Sequence, residues 1–507
     1  MTDVVNTDVT NADLAKQDPT GRLYNDDLAP SAPSHRQWNG YSLFSLWMND
    51  AHNVGNYTFA AGLFVAGLSP IDITLGIFVG AVIIFVGCCM SGFMGHATGT
   101  PYPVISRMSW GIWGANIPAL VRGIVAIAWY GIQTYLASIS LKLLILRFLP
   151  QVAPMQSTTI LGLDALGWLS FILLSAIQLA IVWRGMDAVR HFQGAAGPII
   201  WVIMLGLAIW MLYQANWDIS WTTSASGVAL SPGQQVYQIF TAVGLTVGTL
   251  ATLMLNFADF ARYAPSRKSI IRGNAFGLPL NWTAFAVTSV ITSAAAAKVY
   301  GSAVTDPAEL LEKIDNDPIF FIGSVTFVFA TIGVNIVANF VSASFDISNI
   351  NPKRISFQKG GIITAVASLL VTPWNLYSSP AVISYFLGAL GALLGPFFGI
   401  LAVDYFLVRK QTFSVRDLYL PNKQSIYFYQ KGFNHLAAIA FIPAAIVSLS
   451  IALIPFFSVL APFGWFIGAP LSAVIYYAIA HGKVQVMPPA DRVLEPAAGE
   501  EAKPESE

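Results

Sequence analysis

Twelve long apolar runs, parted by short polar segments, account for most of the chain. They lie near 41–68, 72–93, 118–148, 164–184, 194–214, 236–260, 275–299, 318–343, 360–379, 381–407, 435–456 and 460–480. A helix needs about 20 apolar residues to cross the hydrocarbon core of a bilayer. At that depth only helices and closed barrels satisfy their own backbone. The pattern predicts an all-α polytopic membrane protein with twelve transmembrane helices. Pro70, Pro150, Pro232 and Pro318 stand at run ends, where a missing backbone donor does least harm. The polar ends, 1–37 and 483–507, are expected to be disordered tails.

Charge orients the stack. Segments after even-numbered runs hold Arg107; Arg184 and Arg190; Arg262, Arg267, Lys268 and Arg272; Lys353, Arg354 and Lys359; and Arg409, Lys410, Arg416, Lys423 and Lys431. Segments after odd-numbered runs carry almost none. The exception, 299–317, holds Lys313 among Asp306, Glu309, Glu312, Asp315 and Asp317. Positive loops face the cytoplasm. A multi-pass protein of the cytoplasmic (inner or plasma) membrane follows, with both termini inside. Runs one to five (38–214) and six to ten (232–407) can form two five-helix halves. A cytoplasmic loop (408–434) and two more helices (435–482) come after them. Five is odd, so the halves have opposite orientations. Such inverted repeats place a transport site near the midplane, between the halves.

Composition narrows the function. The chain is 55% hydrophobic and only 10% charged, against roughly 25% charged in soluble proteins. Formal net charge is zero, so no nucleic-acid partner is expected. The two cysteines, Cys88 and Cys89, are adjacent and give neither a disulfide framework nor metal-ligand spacing. No nucleophile motif, zinc spacing or phosphate loop occurs, so an enzyme is not expected. No cleavable signal peptide is visible.

Polar groups inside the runs carry the candidate chemistry, since such groups at bilayer depth are functional candidates by default. Run one contains Trp47-Met48-Asn49-Asp50-Ala51-His52-Asn53-Val54-Gly55-Asn56. Run six contains Gly244-Leu245-Thr246-Val247-Gly248-Thr249. Paired interruptions in the two halves point to a transporter's site. Asp50 and His52 are the proton-handling candidates; alternatively Asp50 caps the broken helix and His52 is structural. Asn53 and Asn56 lie where unwound backbone can line a cavity. Trp129 and Gln133 are four apart on one helical face, as are Asn335 and Asn339. An indole stacks on a flat ring, and amides bond its polar edge. The alternative is that these amides join neighbouring helices. Asp259 and Asp404, each followed by an arginine, read as interfacial charges or gate salt bridges. Arg122 and Lys142 read as snorkelling residues.

Several separated motifs then occur in order. Asp27-Leu28-Ala29-Pro30 precedes Trp38, Trp47 and His52-Asn53. Trp129-Tyr130-Gly131-Ile132-Gln133 follows, then Asn335 and Asn339. Gly395-Pro396-Phe397-Phe398-Gly399-Ile400 leads to Asp404-Tyr405-Phe406-Leu407-Val408-Arg409-Lys410. From about 26 to 434 the chain resembles the nucleobase–cation symporter family of hydantoin, allantoin, cytosine and uracil permeases. The resemblance implies a LeuT-like five-plus-five inverted repeat with two extra helices. It implies import of a nucleobase or related cyclic ureide by alternating access. Trp129 would stack on the substrate, and Gln133 and Asn339 would bond its edge. Asn53 would line the cavity, with Asn335 beside it and Thr249 and Leu250 closing the far side.

Two departures bear on the substrate and the ion. Relatives carry a second tryptophan where Leu250 stands, so the ring would be stacked on one face only. Sodium-coupled members use adjacent hydroxyl residues where this chain has Gly333 and Val334, beside Ala330. Hard cations want oxygen ligands, so H+ is the expected coupling ion and Na+ the alternative. Retention of Gln133 favours uracil, allantoin or a hydantoin-like ring over cytosine. A passive facilitator or channel is the other alternative, though no ring of pore-lining charges is present. The expected partners are the small-molecule substrate and the lipid bilayer, without a cofactor. Nothing in the sequence sets an oligomeric state.

Overall fold

The computed structural model describes residues 10–486 except 226, 228, 229, 303, 305, 306, 378 and 379. The first predicted run is two half-helices, α1 (Gly40–Ala51) and α2 (Val54–Val65). Next come α3 (Pro70–Thr98), a short α4 (Tyr102–Trp110), α5 (Asn116–Phe148), α6 (Ala165–Trp183) and α7 (Met186–Gln214). The second half holds α8 (Pro232–Asn256), α9 (Arg267–Tyr300), α10 (Asp317–Ile350), α11 (Phe357–Leu370) and α12 (Gly388–Val408). Helices α13 (His435–Leu453) and α14 (Ala461–Ala480) close the chain. Among the described residues, ten helices are long and apolar enough to cross a membrane. The other two predicted runs, 41–68 and 360–379, are held by the shorter pieces α1, α2 and α11. Residues 487–507 of the expected C-terminal tail, and residues 1–9, lie outside the described residues.

Small residues bring α3 against α8 and the short helix Ala258–Ala261 that follows it. A Cβ on Gly80 would lie 2.7 Å from the Thr246 Cβ, and one on Gly95 2.6 Å from the Ala258 Cα. Gly76 and Gly87 meet Ala242 and Met254 in the same way. Lipid gives helices no hydrophobic reason to associate, so close backbone approach through small residues replaces it. Run six is not broken at its glycines, contrary to expectation. Helix α8 runs unbroken through Gly244–Thr249 and ends at Asn256; a short helix, Ala258–Ala261, follows Phe257. Gly244 serves packing instead, since a Cβ there would fall 2.5 Å from the Pro462 carbonyl oxygen.

Buried charges join the elements at this second break. Arg122 does not snorkel: it is 0% exposed. Its Nη2 donates to Asn256 Oδ1 at 3.0 Å and to the Ala338 carbonyl at 2.9 Å. Its Nη1 lies 3.9 Å from Asp346 Oδ2. Asp259 is not paired with Arg262; it accepts from the Tyr102 N–H at 2.8 Å and Asn256 Nδ2 at 3.0 Å. Asp404 does pair with Arg409, at 2.9 Å, and takes the Tyr476 and Ser109 hydroxyls. Lys142 also departs from the snorkelling expectation, pairing with Asp164 at 2.5 Å.

The N-terminal segment is ordered from residue 10, not a disordered tail. Leu14, Leu23 and Leu28 are buried. Its polar backbone is taken up by the helix ends. Arg107 donates to the Leu23 carbonyl, Arg262 to those of Asp27 and Ala29, and Tyr419 to that of Leu28. Asn25 reaches Ser348 and the carbonyls of Pro352 and Ile355. The segment is thus a strap across several helix ends. Composition hides it, because few of its own residues are apolar.

Two stability predictions follow from this packing. Gly95→Val should destabilise by about 1–3 kcal/mol through overpacking. Arg122→Ala leaves two carboxylates buried without their cation and should cost about 3–5 kcal/mol. Both are read as lower melting temperatures of the detergent-purified protein. An unchanged melting curve for either would refute the contact it rests on.

Candidate functional site

The break in the first span exposes backbone groups that lipid cannot satisfy. His52 and Asn53 leave the helical region, with Asn53 extended at φ −136° and ψ 164°. Four carbonyls at the end of α1 and four N–H groups at the start of α2 lose their helical partners there. Two asparagines repair part of this. Asn53 Nδ2 donates to the Asp50 carbonyl at 2.8 Å. Asn56 Nδ2 donates to the Asp50 and Ala51 carbonyls at 2.8 and 3.0 Å. Asn53 Oδ1 accepts the Asn56 N–H at 3.0 Å, capping α2. Asp50 itself is not the cap: its Oδ2 is buried and accepts no hydrogen bond among the described residues.

This break forms one wall of a hollow. The other walls are α5, α8 and α10. Asp50, Asn53 and Asn56 face Trp129 and Gln133, with Thr249, Leu250, Thr252 and Leu253 on α8 and Val334, Ala338 and Asn339 on α10. Six of the expected substrate residues therefore meet: Trp129, Gln133, Asn339, Asn53, Thr249 and Leu250. Asn56 had been singled out only for its place beyond the break. Thr252, Leu253 and Ala338 were not singled out, and Val334 was named only for the sodium question. They are ordinary helix residues, and only packing reveals which face they present. Among the lining residues there is no Lys, Arg or His.

Asn335 is not in the hollow. It is fully buried behind Asn339. Its Nδ2 is shared among Gln178 Oε1 at 2.7 Å, Thr134 Oγ1 at 2.9 Å and the Tyr130 carbonyl at 3.1 Å. Its Oδ1 accepts from Asn339 Nδ2 at 2.9 Å. One N–H of Asn339 is therefore fixed, which leaves its second N–H and its oxygen for the hollow. Asn339 sits in a π-turn, Ile336–Val341, the kind of helix bulge found often at functional sites. Gln133 is freer. Its Oε1 is buried without a partner among the described residues, and Gly55 leaves room for its Nε2, which a Cβ would approach to 3.4 Å.

His52 also lies away from the hollow. Its Nδ1 is 3.2 Å from the Tyr57 hydroxyl. Its ring stands edge-on to Trp201 at 4.2 Å and to Phe285 at 5.4 Å. Of the two proton-handling candidates, only Asp50 borders the hollow.

Gly333 and Val334 stand at the positions weighed above for a sodium site. The Gly333 carbonyl accepts from Gln193 Nε2 at 2.9 Å. A Cβ on Gly333 would lie 2.8 Å from Asn49 Oδ1, so the amide of Asn49 occupies the space a side chain would need. Asn49 Nδ2 donates to the carbonyls of Ser45 and Gln193. Val334 turns into the hollow. Two oxygens there, Asn49 Oδ1 and Gln193 Oε1, accept no hydrogen bond among the described residues.

Comparison with known proteins identifies the family. Residues 30–468 match the family described as permease for cytosine/purines, uracil, thiamine, allantoin. The chain is 35% identical over 480 residues to an allantoin permease of Bacillus subtilis (strain 168), covering 94% of this chain and 96% of that one. It is 32% identical to a purine-uracil permease of Arabidopsis thaliana, covering 86% and 72%. Among solved structures it is similar to Mhp1, a nucleobase-cation-symport-1 family transporter, in a closed conformation with bromovinylhydantoin bound. The TM-score is 0.73 at 24% identity, covering 90% of this chain and 94% of that one. At that identity the likeness carries the fold alone. Family match and near end-to-end relatives together show that the chain is a membrane permease, not an enzyme, and belongs to the nucleobase–cation symporter family.

Proposed function

We propose that the protein is a secondary active transporter that imports a nucleobase or related cyclic ureide, uracil-, allantoin- or hydantoin-like, by alternating access. The observation that carries this is the convergence of Trp129, Gln133 and Asn339 on one hollow beside a broken helix. The indole offers a stacking face, worth about 1–3 kcal/mol per ring. Gln133 supplies donors and an acceptor, and Asn339 supplies one of each. Leu250 lies across the hollow, so the second face of the ring meets an aliphatic wall. A single indole restrains ring size less than two would.

Alternating access requires the hollow to open on one side at a time. The cluster of Arg122, Asn256, Asp259 and Asp346 adjoins it, since Ala338 lines the hollow and its carbonyl accepts from Arg122. Loop charge assigns that side to the cytoplasm. We take the cluster as the inner closure. The coupling ion in this reading is H+, with Asp50 as the carrier that borders the substrate. A sodium reading is kept for one reason: the orphaned oxygens of Asn49 and Gln193 are the kind of ligand a hard cation takes.

Uptake of radiolabelled uracil or allantoin into proteoliposomes should be concentrative under an inward proton gradient. It should collapse with a protonophore and be unchanged when choline replaces sodium. Sodium dependence would overturn the proton reading, and uptake that never exceeds equilibrium would make the protein a facilitator. Trp129→Ala should weaken ring binding by about 1–3 kcal/mol, measured by calorimetry on the folded variant; unaltered affinity removes Trp129 from the site. Asn335→Ala should also weaken binding, by about 1 kcal/mol, although Asn335 touches no ligand in this reading. Full affinity in that variant would show that Asn339 needs no anchor.

A further inference from the structure

We infer that Gln178 is a positioning residue for the substrate: from behind the hollow it holds the chain of amides that decides which atoms of Asn339 meet the ring. The inference rests on the transport reading above and adds to it a residue that touches no ligand.

Gln178 lies on α6, is buried, and is not part of the hollow's wall. A primary amide has two donors and an acceptor to satisfy, and here each is placed. Gln178 Nε2 donates to the Leu174 carbonyl and to Thr134 Oγ1, both at 3.2 Å. Its Oε1 accepts from Asn335 Nδ2 at 2.7 Å, the shortest of the three contacts that nitrogen makes. The Thr134 hydroxyl gives its own proton to the Tyr130 carbonyl at 2.8 Å, so its oxygen is an acceptor towards both amides.

These bonds have a direction. A backbone carbonyl accepts and never donates. The Leu174 carbonyl therefore draws the Gln178 nitrogen and turns the Gln178 oxygen to Asn335. Asn335 meets that oxygen with its nitrogen, which leaves its own oxygen for Asn339. Asn339 meets it with a nitrogen in turn, at 2.9 Å. Flipping any one amide would exchange donor for acceptor and set like against like inside the protein, where an unmade hydrogen bond is costly. Asn339 Oδ1 takes part in no hydrogen bond among the described residues and is not sealed off by protein. The space beside it is the hollow. The chain thus turns an acceptor towards the substrate, starting from a carbonyl on another helix.

Asn335 also has acceptors on α5, the Tyr130 carbonyl and Thr134, but both belong to one helix. Gln178 adds a second. The need for it lies in α10, whose hydrogen-bond ladder switches to the π-turn Ile336–Val341 between Asn335 and Asn339. A ladder that changes pitch there does not by itself fix how the two amides meet. The side-chain tie does.

Uracil, allantoin and hydantoin are the probes, titrated calorimetrically into the purified full-length protein. Gln178→Met keeps the side chain's length and removes its donors and acceptor. It should weaken binding of the tightest of the three by about threefold to tenfold, the contribution of one hydrogen bond. Asn339→Ala supplies the control. In that background Gln178→Met should change affinity by less than about twofold, because the residue it positions is gone. In proteoliposome uptake the KM should rise by the same factor while the maximal rate holds. If Gln178→Met does not fold, Gln178→Asn, one methylene shorter and unable to reach both Leu174 and Asn335, takes its place in the same cycle. Wild-type affinity in the folded single variant, or an equal loss with and without the Asn339 side chain, would make Gln178 a tie between helices only and overturn the inference. A wild-type protein that binds none of the three compounds, or an affinity indifferent to Asn339→Ala, would instead remove the transport reading, and this inference with it.

Discussion

A helix that stops halfway through lipid must find partners for its own backbone, and the rest of this site depends on how that is done. At His52-Asn53 the chain ends one half-helix and starts another. The Asp50 and Ala51 carbonyls there take side-chain amides from Asn53 and Asn56. Each orphaned group left unmet in hydrocarbon would cost several kcal/mol. Two asparagines meet that requirement, and the hollow keeps a polar wall.

The same division recurs on α10. Asn335 and Asn339 are one helical turn apart and of the same residue type, yet they do different work. Asn335 faces backward into Gln178, Thr134 and the Tyr130 carbonyl. Asn339 faces the hollow and hangs from Asn335 by one N–H. Of the two readings offered by spacing, Asn335 takes that of helix glue, and Asn339 is the residue that faces the hollow. Position relative to the π-turn at Ile336–Val341 decides which. A buried network of this kind restricts Asn339 to one orientation, since Asn335 is itself held by three acceptors.

Much of the fold was legible because lipid enforces it: long apolar runs, proline at their ends and positive loops leave little freedom. Trp129, Gln133 and Asn339 were legible because polar and aromatic side chains at that depth need a reason. What stayed hidden has a physical cause in each case. Gly244 and Gly248 look like a helix break, but glycine also serves close packing, and Gly244 sits against the Pro462 carbonyl. Arg122 near a helix end looks like a snorkelling residue, but the face it occupies is set by tertiary packing, and that face points inward. Residues 10–37 look disordered because their apolar content is low. They are held by other elements' arginines, whose targets are backbone carbonyls with no sequence signature.

The two breaks also bear on each other. In the first span asparagines cap the interruption, and the hollow lies on one side of it. In the sixth, Asn256 stands at the end of α8, takes Arg122 on its oxygen and gives its nitrogen to Asp259 and Ser342. That amide bridges a guanidinium and a carboxylate that do not touch directly. Moving α8 relative to α5 would separate Arg122 from Asn256 and cut Asp259 off from the cation to which that amide links it. Buried ion pairs contribute little net stability when intact, but losing one partner is expensive. Such a cluster therefore favours two states, closed with all partners present or open with water in their place, and disfavours positions between. In the alternating-access reading proposed above, a two-state closure of this kind stands next to the hollow, because Ala338 lines the hollow and its carbonyl accepts from Arg122.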